Sequence, residues 1–543
     1  MKNHSFRYLL CIFITLSFII STGCSEKDGS GYLFKYSLSA DPKNLDPQIA
    51  DDTPAMTVMG NIYSGLLKFA DNGKLTEAVA TDYKISSDGL TYTFNLREDN
   101  YWSGSDSDFK EQVTSKDFVF AFRRIFDKNT SSPYAKDFIC IKNADKVLSG
   151  ELDTSSLGVK ADGNFKLIFE LDYENADFLS LLTIPAASPC NEEFFSGTKG
   201  KYGLDSDFII CNGPFYVKQW EYDYYGKNNY LITRKNKYYS ETEKIYPSSL
   251  NFFIQKDNDN IYSDFTSGVT DCVVIDGSQK NALNGKYSFN EYETSSIGLI
   301  FNNQSEIFKN KAFREALALS INRDGYKNEH PKGLSSAYAI VPKGITMLNK
   351  SYRELVAEAD KSVYDPIKAK ESWSKGLSDF KIATVEAQKI LVSEKFVNSE
   401  FLKNVTQQWQ NELNFYCGIE VVSDKEYYDR INSGKYDIAL YELTGNFNNP
   451  RSILKNFMTG NENNIFGYSN SGVDALLNKS ERSQNLSDSV NYFSQTESMI
   501  ISDYAYIPLF YKKEYMLYDE DVSDIDYNPF TKQVYFINSK NFD

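Results

Sequence analysis

The sequence predicts an α/β protein of more than one domain, and three observations carry that prediction. The chain has 543 residues, far more than a single hydrophobic core organises, so two or three structural domains are expected. Stretches with a hydrophobic period of two stand among stretches striped at the 3.6-residue period of amphipathic helices. From residue 350 to 510, helical stretches alternate with short apolar strands such as "GIEVV" and "YDIALYEL", the order in which parallel strands and their covering helices follow one another.

In chain order, residues 8–20 are apolar but for Thr15 and Ser17, and Lys2 and Arg7 precede them. A membrane-spanning helix needs roughly 20 apolar residues, so this shorter run reads as an export signal. Cys24 follows the small residues Ser21, Thr22 and Gly23, and "SEKDGSGY" (25–32) is a polar, glycine-bearing tether with a reach of roughly 15 Å. The strand "LTYTFNL" (90–96) sets Leu90, Tyr92, Phe94 and Leu96 against Thr91, Thr93 and Asn95, which gives one buried face. "FKLIFEL" (165–171) and "SLNFFIQ" (249–255) have the same form. Helices lie between. "TSKDFVFAFRRIF" opens with Thr114 and Asp117 at capping-box spacing and stripes Phe118, Phe122, Ile125 and Phe126, and the stripe predicts core. "NKAFREALALSINRD" (310–324) stripes Phe313, Ala316, Leu317 and Ile321 in the same way.

Composition removes several classes of function. The formal charge of −16 argues against a nucleic-acid partner. Beyond the leader there is one histidine, His330, so a histidine base or a metal held by two or three imidazoles has almost nothing to draw on. Beyond Cys11 and Cys24, five cysteines (140, 190, 211, 272 and 417) stand at wide spacings with no CxxC pair, from which neither a disulfide framework nor a zinc site follows. No GxSxG, HExxH or GxxxxGK motif occurs, and no spacing singles out a carboxylate pair for hydrolysis. No catalytic residue, metal site or cofactor is expected. The 15% of aromatic residues suits packed sheets or an aromatic-lined pocket.

Several blocks in one order resemble the extracellular solute-binding proteins of the oligopeptide ABC-transporter family. They are "LSADPKNLDPQ" (38–48), "NIYSGLLKFADNGKLTEAVATDYKISSDGLTYTFNLREDNYWSGS", "TSKDFVFAFRRIFDKNTSSPYA" (114–135), "CNGPFYVKQW" (211–220), "LIFNNQSEIFKNKAFREALALSINRD" (299–324), "YDIALYELTGNFNNPRSILKNFM" and "YAYIPLFY". The resemblance covers residues 33–543. It implies a two-lobed, periplasmic-binding-protein-like fold of type II with an extra subdomain, whose lobes close about a hinge over a ligand. The implied division is a leader (1–23), a tether (24–32), lobe one in three pieces (33–67, 201–295 and 509–543), a subdomain inserted in it (68–200), and lobe two (296–508). The residues around Cys24 resemble a lipoprotein signal, with Ser21 where most members carry leucine. That resemblance implies an acylated cysteine and a membrane-anchored, extracellular, monomeric protein working with the permease and ATPase of a peptide importer.

In the family an extended peptide is gripped through its backbone, and its ends carry specificity. The resemblance places Asp51, Asp52 and Thr53 of "ADDTP" beside the ligand. On the strand ahead of "NFNNP", peptide-binding members carry an arginine, a tryptophan and an aspartate that meets the ligand's amine. Those positions here are Leu440, Leu443 and Asn446. Asn446 lacks the charge that makes such hydrogen bonds worth about 1.5–3 kcal/mol. Regular alternation sets Leu440, Glu442, Thr444 and Asn446 on one face, so Glu442 is the expected substitute anchor, a surface glutamate being the plainer reading. Tyr441 and Asn448 complete the expected site. The aromatic residue usual near the start of the preceding helix is Asp424 here. A non-peptide cargo, such as a glycan fragment, an opine-like molecule or a metal chelate, is the alternative on the same fold. A carboxylate-based surface hydrolase is the remote one.

Overall fold

The period-two stretches form sheets whose buried residues are the ones the alternation selects. In the computed structural model, residues 31–542 are described apart from 70–74, 107, 224–228, 256–257, 281–286, 324, 326–329, 331–332, 348–349, 358–363, 397–398 and 484. The leader, Cys24 and most of the tether lie outside the described residues. Strands Thr91–Leu96 and Lys166–Glu170 pair antiparallel at the centre of a four-stranded sheet, with Ala80–Ile85 and Val159–Ala161 at its edges. Tyr92, Phe94, Leu167 and Phe169 are buried on one face. Helix Ser115–Phe126 lies on that face, with the Phe122 ring edge-on to Phe169 at 4.9 Å. The backbone N–H of Thr114 donates to Asp117 Oδ2 at 2.7 Å, so the helix begins where the capping spacing places it.

A second four-stranded sheet runs in the order Leu33–Leu38, Ser249–Ile254, Tyr230–Lys235, Phe215–Glu221. Its first two strands are parallel although more than 200 residues separate them, and the other pairings are antiparallel. The C-terminal segment joins this body: Phe536 packs on Phe34, Tyr36 and Phe252, and Asn61 Nδ2 donates to the Val534 carbonyl at 2.6 Å. Both sheets and Val522, Val534 and Phe536 share one hydrophobic core.

The other lobe is a sheet between two apolar layers. The whole sheet runs in the order Cys272–Asp276, Tyr506–Tyr518, Ser288–Phe301, Ile438–Thr444, Gln388–Ser393, Cys417–Val422, and its first strand packs with the first lobe, where Cys272 joins that core. Ile297, Leu299, Ile390, Val392, Ile438 and Leu440 face one core, whereas Ile300, Leu391, Ala439 and Leu443 face the other. That division is the alternation of a strand buried on both sides. The parallel arrangement predicted for residues 350–510 holds for three strands, Gln388–Ser393 with Cys417–Val422 and Ile438–Thr444. Ile438–Thr444 meets Ser288–Phe301 antiparallel. The helix predicted for 310–324 spans Lys311–Leu319 and ends at Ser320. Beyond it, Arg323 Nε reaches the Pro508 carbonyl at 2.8 Å.

Two antiparallel strands, Ser288–Phe301 and Tyr506–Tyr518, belong to both lobes. Tyr292, Met516 and Tyr518 pack with the first core, and Leu299, Phe301, Ile507 and Leu509 pack in the second lobe. Their register slips at Glu293/Ser295 and again at Ile297/Gly298, between the two sets of core contacts. Bulges bend and twist a strand pair, so the two crossings carry their irregularities where a hinge is needed.

Candidate functional site

Where the second lobe's sheet approaches the crossings, strand Ile438–Thr444 sets Glu442 opposite Ile297, Leu443 opposite Ser296 and Thr444 opposite Ser295. Leu440 and Leu443 are 5% and 1% exposed, in cores on opposite faces of the sheet. Leu443 is thus packing rather than cleft surface. Glu442, on Leu440's face, accepts a hydrogen bond from Ser295 Oγ at 2.7 Å, and its two oxygens lie 3.2 and 3.1 Å from Lys512 Nζ. Burial works against the Lys512 charge, but the carboxylates of Glu442 and Glu514 outweigh it and raise the pKa of the ammonium.

Lys512 also forms part of the wall of a cavity of about 350 Å³, together with Tyr36, Thr53, Tyr262, Asp276 and Glu514. That size falls at the lower end of the range for small-ligand pockets. The cavity lies beside the carboxyl end of Leu33–Leu38 and the start of helix Thr53–Ile62, and strand Cys272–Asp276 contributes to it. Asp276 and Glu514 are cross-strand neighbours. Glu514 in turn holds Lys532 Nζ at 2.6 Å and the Tyr527 hydroxyl at 3.2 Å. The wall therefore offers both signs of charge and several hydroxyls. Among the described residues no group of three or more His, Cys, Asp or Glu is placed to hold a metal ion.

The residues singled out in the sequence distribute unevenly. Of "ADDTP", Thr53 reaches the cavity. Asp52 caps the helix, accepting from the Ala55 N–H at 3.0 Å, and Asp51 is exposed beside Lys43 at 3.9 Å. Tyr441 is half-buried on the opposite face from Glu442, near Phe466, and burial raises its phenol to about 12, with Tyr428 and Glu442 adding to the rise. Asn446 is exposed in the turn after the strand. Asn448 is bound to Thr346, accepting from its N–H at 2.8 Å and donating to its hydroxyl at 2.7 Å. Asp424 is held by Ser393 Oγ at 2.8 Å and Lys395 Nζ at 2.6 Å. Sequence reasoning missed Lys512. A signal was present, because "KKEY" directly follows the recognised "YAYIPLFY" and alternation sets Lys512 and Glu514 on one face.

Two lobes, two bulged crossings and a cavity of mixed charged, hydroxyl and apolar lining beside them define a hinged binding protein. The profile of the bacterial extracellular solute-binding proteins, family 5 Middle, matches residues 74–464. The chain belongs to that family of solute-binding proteins. It is 26% identical over 477 residues to the dipeptide-binding protein of Lactococcus lactis subsp. cremoris, covering 85% of each chain. It is 24% identical over 535 residues to the oligopeptide-binding protein OppA of Bacillus subtilis, covering 96% of this chain and 94% of the relative. Among solved structures, the substrate-binding domain of an oligopeptide ABC transporter from Bacillus anthracis superimposes with a TM-score of 0.73 at 25% identity, covering 94% of this chain and 99% of that one. Among the described residues no helix is long and apolar enough to cross a membrane.

Proposed function

We propose that this protein captures oligopeptides outside the cell and delivers them to the permease and ATPase of an ABC importer, as a monomer held to the membrane by lipid on Cys24. The observation that carries this reading is the alignment of nearly the whole chain on proteins named for dipeptide and oligopeptide binding. The hinge supports it physically. A cargo that touches both lobes favours the closed form, and one with equal affinity for both forms would shift nothing. We place the lobe boundaries at 296 and 508, within the two crossings. In the cleft, Thr53, Glu442 and Asn446 are the proposed contacts. The cargo's amine would exchange with Lys512 on Glu442, while Asn448 and Asp52 hold the flanking turns in place.

The test is calorimetry with a free-amine oligopeptide series and its N-acetylated twins. Loss of one charge-assisted hydrogen bond, about 1.5–3 kcal/mol, predicts that acetylation weakens binding about tenfold or more. Equal affinity of the twins would remove the carboxylate anchor and leave peptide capture standing. A second reading, a non-peptide solute on the same fold, is favoured by one observation: Leu440 and Leu443, at the family's arginine and tryptophan positions, are buried. No heat with any peptide, together with a non-peptide mass retained in native mass spectrometry of protein from its own host, would establish that reading instead.

A further inference from the structure

A second set of contacts joins the lobes away from the cavity. Asp177 precedes Phe178, which is buried in the first lobe's core, and Asn449 precedes helix Pro450–Leu454, whose Ile453 and Leu454 are buried in the second. Asn449 Nδ2 donates to Asp177 Oδ1 at 3.0 Å, and Arg451 Nε lies 3.8 Å from Asp177 Oδ2. Alongside, the Ala176 N–H donates to the Glu481 carbonyl at 2.8 Å. The Arg482 guanidinium stands 5.5 Å from the Tyr173 ring centroid, and Lys455 Nζ is 3.8 Å from Asp137 Oδ1. All of these pairs link residues 137–177 to residues 449–482, so opening the hinge would part them together.

The same turn that ends the cleft strand carries the latching amide. Residues 445–449 run from Gly445 past exposed Asn446 to Asn448, which grips Thr346, and then to Asn449. There is little slack. A Cβ on Gly445 would stand 2.1 Å from Ser452 Oγ, and Ser452 Oγ is itself bonded to the Asn449 carbonyl at 2.7 Å. A displacement at the cleft end of this turn is therefore passed to Asn449.

We propose that Asp177, Asn449 and Arg451 form a closure latch that sets how much of the empty protein is shut, and so scales the affinity for every cargo by one common factor. The scaling follows because apparent affinity carries the populated fraction of the binding-competent form. The latch also senses acidity. Asp177 faces Arg451 from helix Pro450–Leu454, Lys455 from the 3-10 turn Lys455–Phe457 that follows it, Glu481 from helix Ser471–Glu481 and Cys140 from its own lobe. Burial raises its pKa to about 6, with Arg451 and Lys455 opposing and Glu481 adding. Opening returns the carboxylate to water, where such groups titrate near 3.9. Closing therefore takes up a proton between about pH 4 and pH 6, and acidification through that window favours the closed form.

The test is small-angle scattering of the full-length, cargo-free protein, with a thermal melt of each variant. Asn449→Asp keeps the oxygen that caps the helix at the Arg451 N–H, 2.9 Å away, but sets a carboxylate against Asp177. The closed-to-open ratio should fall about tenfold and the radius of gyration should rise at pH 7.5. The swapped pair Asp177→Asn with Asn449→Asp restores donor and acceptor and should return the radius to the wild-type value. Wild type should contract between pH 7 and pH 5, and Asp177→Asn should not. An unchanged radius in the folded Asn449→Asp variant, a swap as expanded as the single variant, or equal pH responses of wild type and Asp177→Asn would each overturn the latch. These readouts need no peptide, so they stand or fall apart from the identity of the cargo.

Discussion

Replacing Arg124 by methionine removes the charge that ties two of the recognisable sequence blocks together. Arg124, in "TSKDFVFAFRRIF", forms a two-pronged ion pair with Asp46 of "LSADPKNLDPQ", and the pair's side chains are only 7% and 3% exposed. Nη1 also donates to Gln48 Oε1 at 2.7 Å, and the Phe195 ring centroid lies 4.0 Å from the guanidinium carbon. Without the guanidinium, the Asp46 side chain keeps only the Gln48 N–H at 3.1 Å among these partners. An uncompensated buried charge costs about 3–5 kcal/mol, whereas methionine retains most of the packing against Phe195. Converting Asp46 to leucine as well removes the stranded charge, so the double variant should lose less than Arg124→Met alone, under about 3 kcal/mol. Urea unfolding followed by tryptophan fluorescence gives the midpoint shift, and hydrogen exchange across 115–126 locates it. A loss below about 1 kcal/mol for the single variant, or a double variant less stable than the single, would refute the reasoning.

Asp117 should make stability depend on pH in the sense opposite to a salt-bridged carboxylate. Burial raises it to about 6, against the lowering by the Thr114 hydrogen bonds. The folded chain therefore holds a proton between about pH 4 and pH 6 that the unfolded chain releases, and its contribution fades as pH rises through 6. The melting temperature of wild type minus that of Asp117→Asn should thus be larger at pH 4.5 than at pH 7, and an equal difference at both would remove the effect. Gly445→Ala should weaken cargo binding, because the new methyl meets Ser452 Oγ at 2.1 Å and overpacking of this kind costs about 1–3 kcal/mol. Adding Ser452→Ala deletes that oxygen, leaves the Cβ of residue 452 at 3.1 Å and should recover part of the affinity. A Gly445→Ala variant that binds as wild type does would show that the turn yields freely.

Local rules made much of the scaffold legible. Tyr92, Phe94 and Leu96 could be assigned to a buried face because a pleated strand repeats every two residues, and helix Ser115–Phe126 could be bounded because Thr114 and Asp117 stand at capping distance. The same rules apply to Asp52. An Asp ahead of Thr-Pro is a helix-cap signal, and the structure uses it that way. The ordered blocks carried the family and, with it, the two lobes.

What no stretch of sequence contained was which distant charges meet. Glu442 and Lys512 are 70 positions apart, and Asp177 and Asn449 are 272. Neither partner carries a local mark of the other, since a side chain's neighbours across a sheet or between lobes are set by strand register and lobe docking. Glu442 by itself could be read as a ready anchor for an amine. Only the crossing strand Tyr506–Tyr518 shows that a lysine already stands there, because register brings its side chain to the same face of the sheet. The elements follow from the chain's own periodicities, and the charge pattern of the cleft follows from long-range contacts, which cooperative folding alone brings into being.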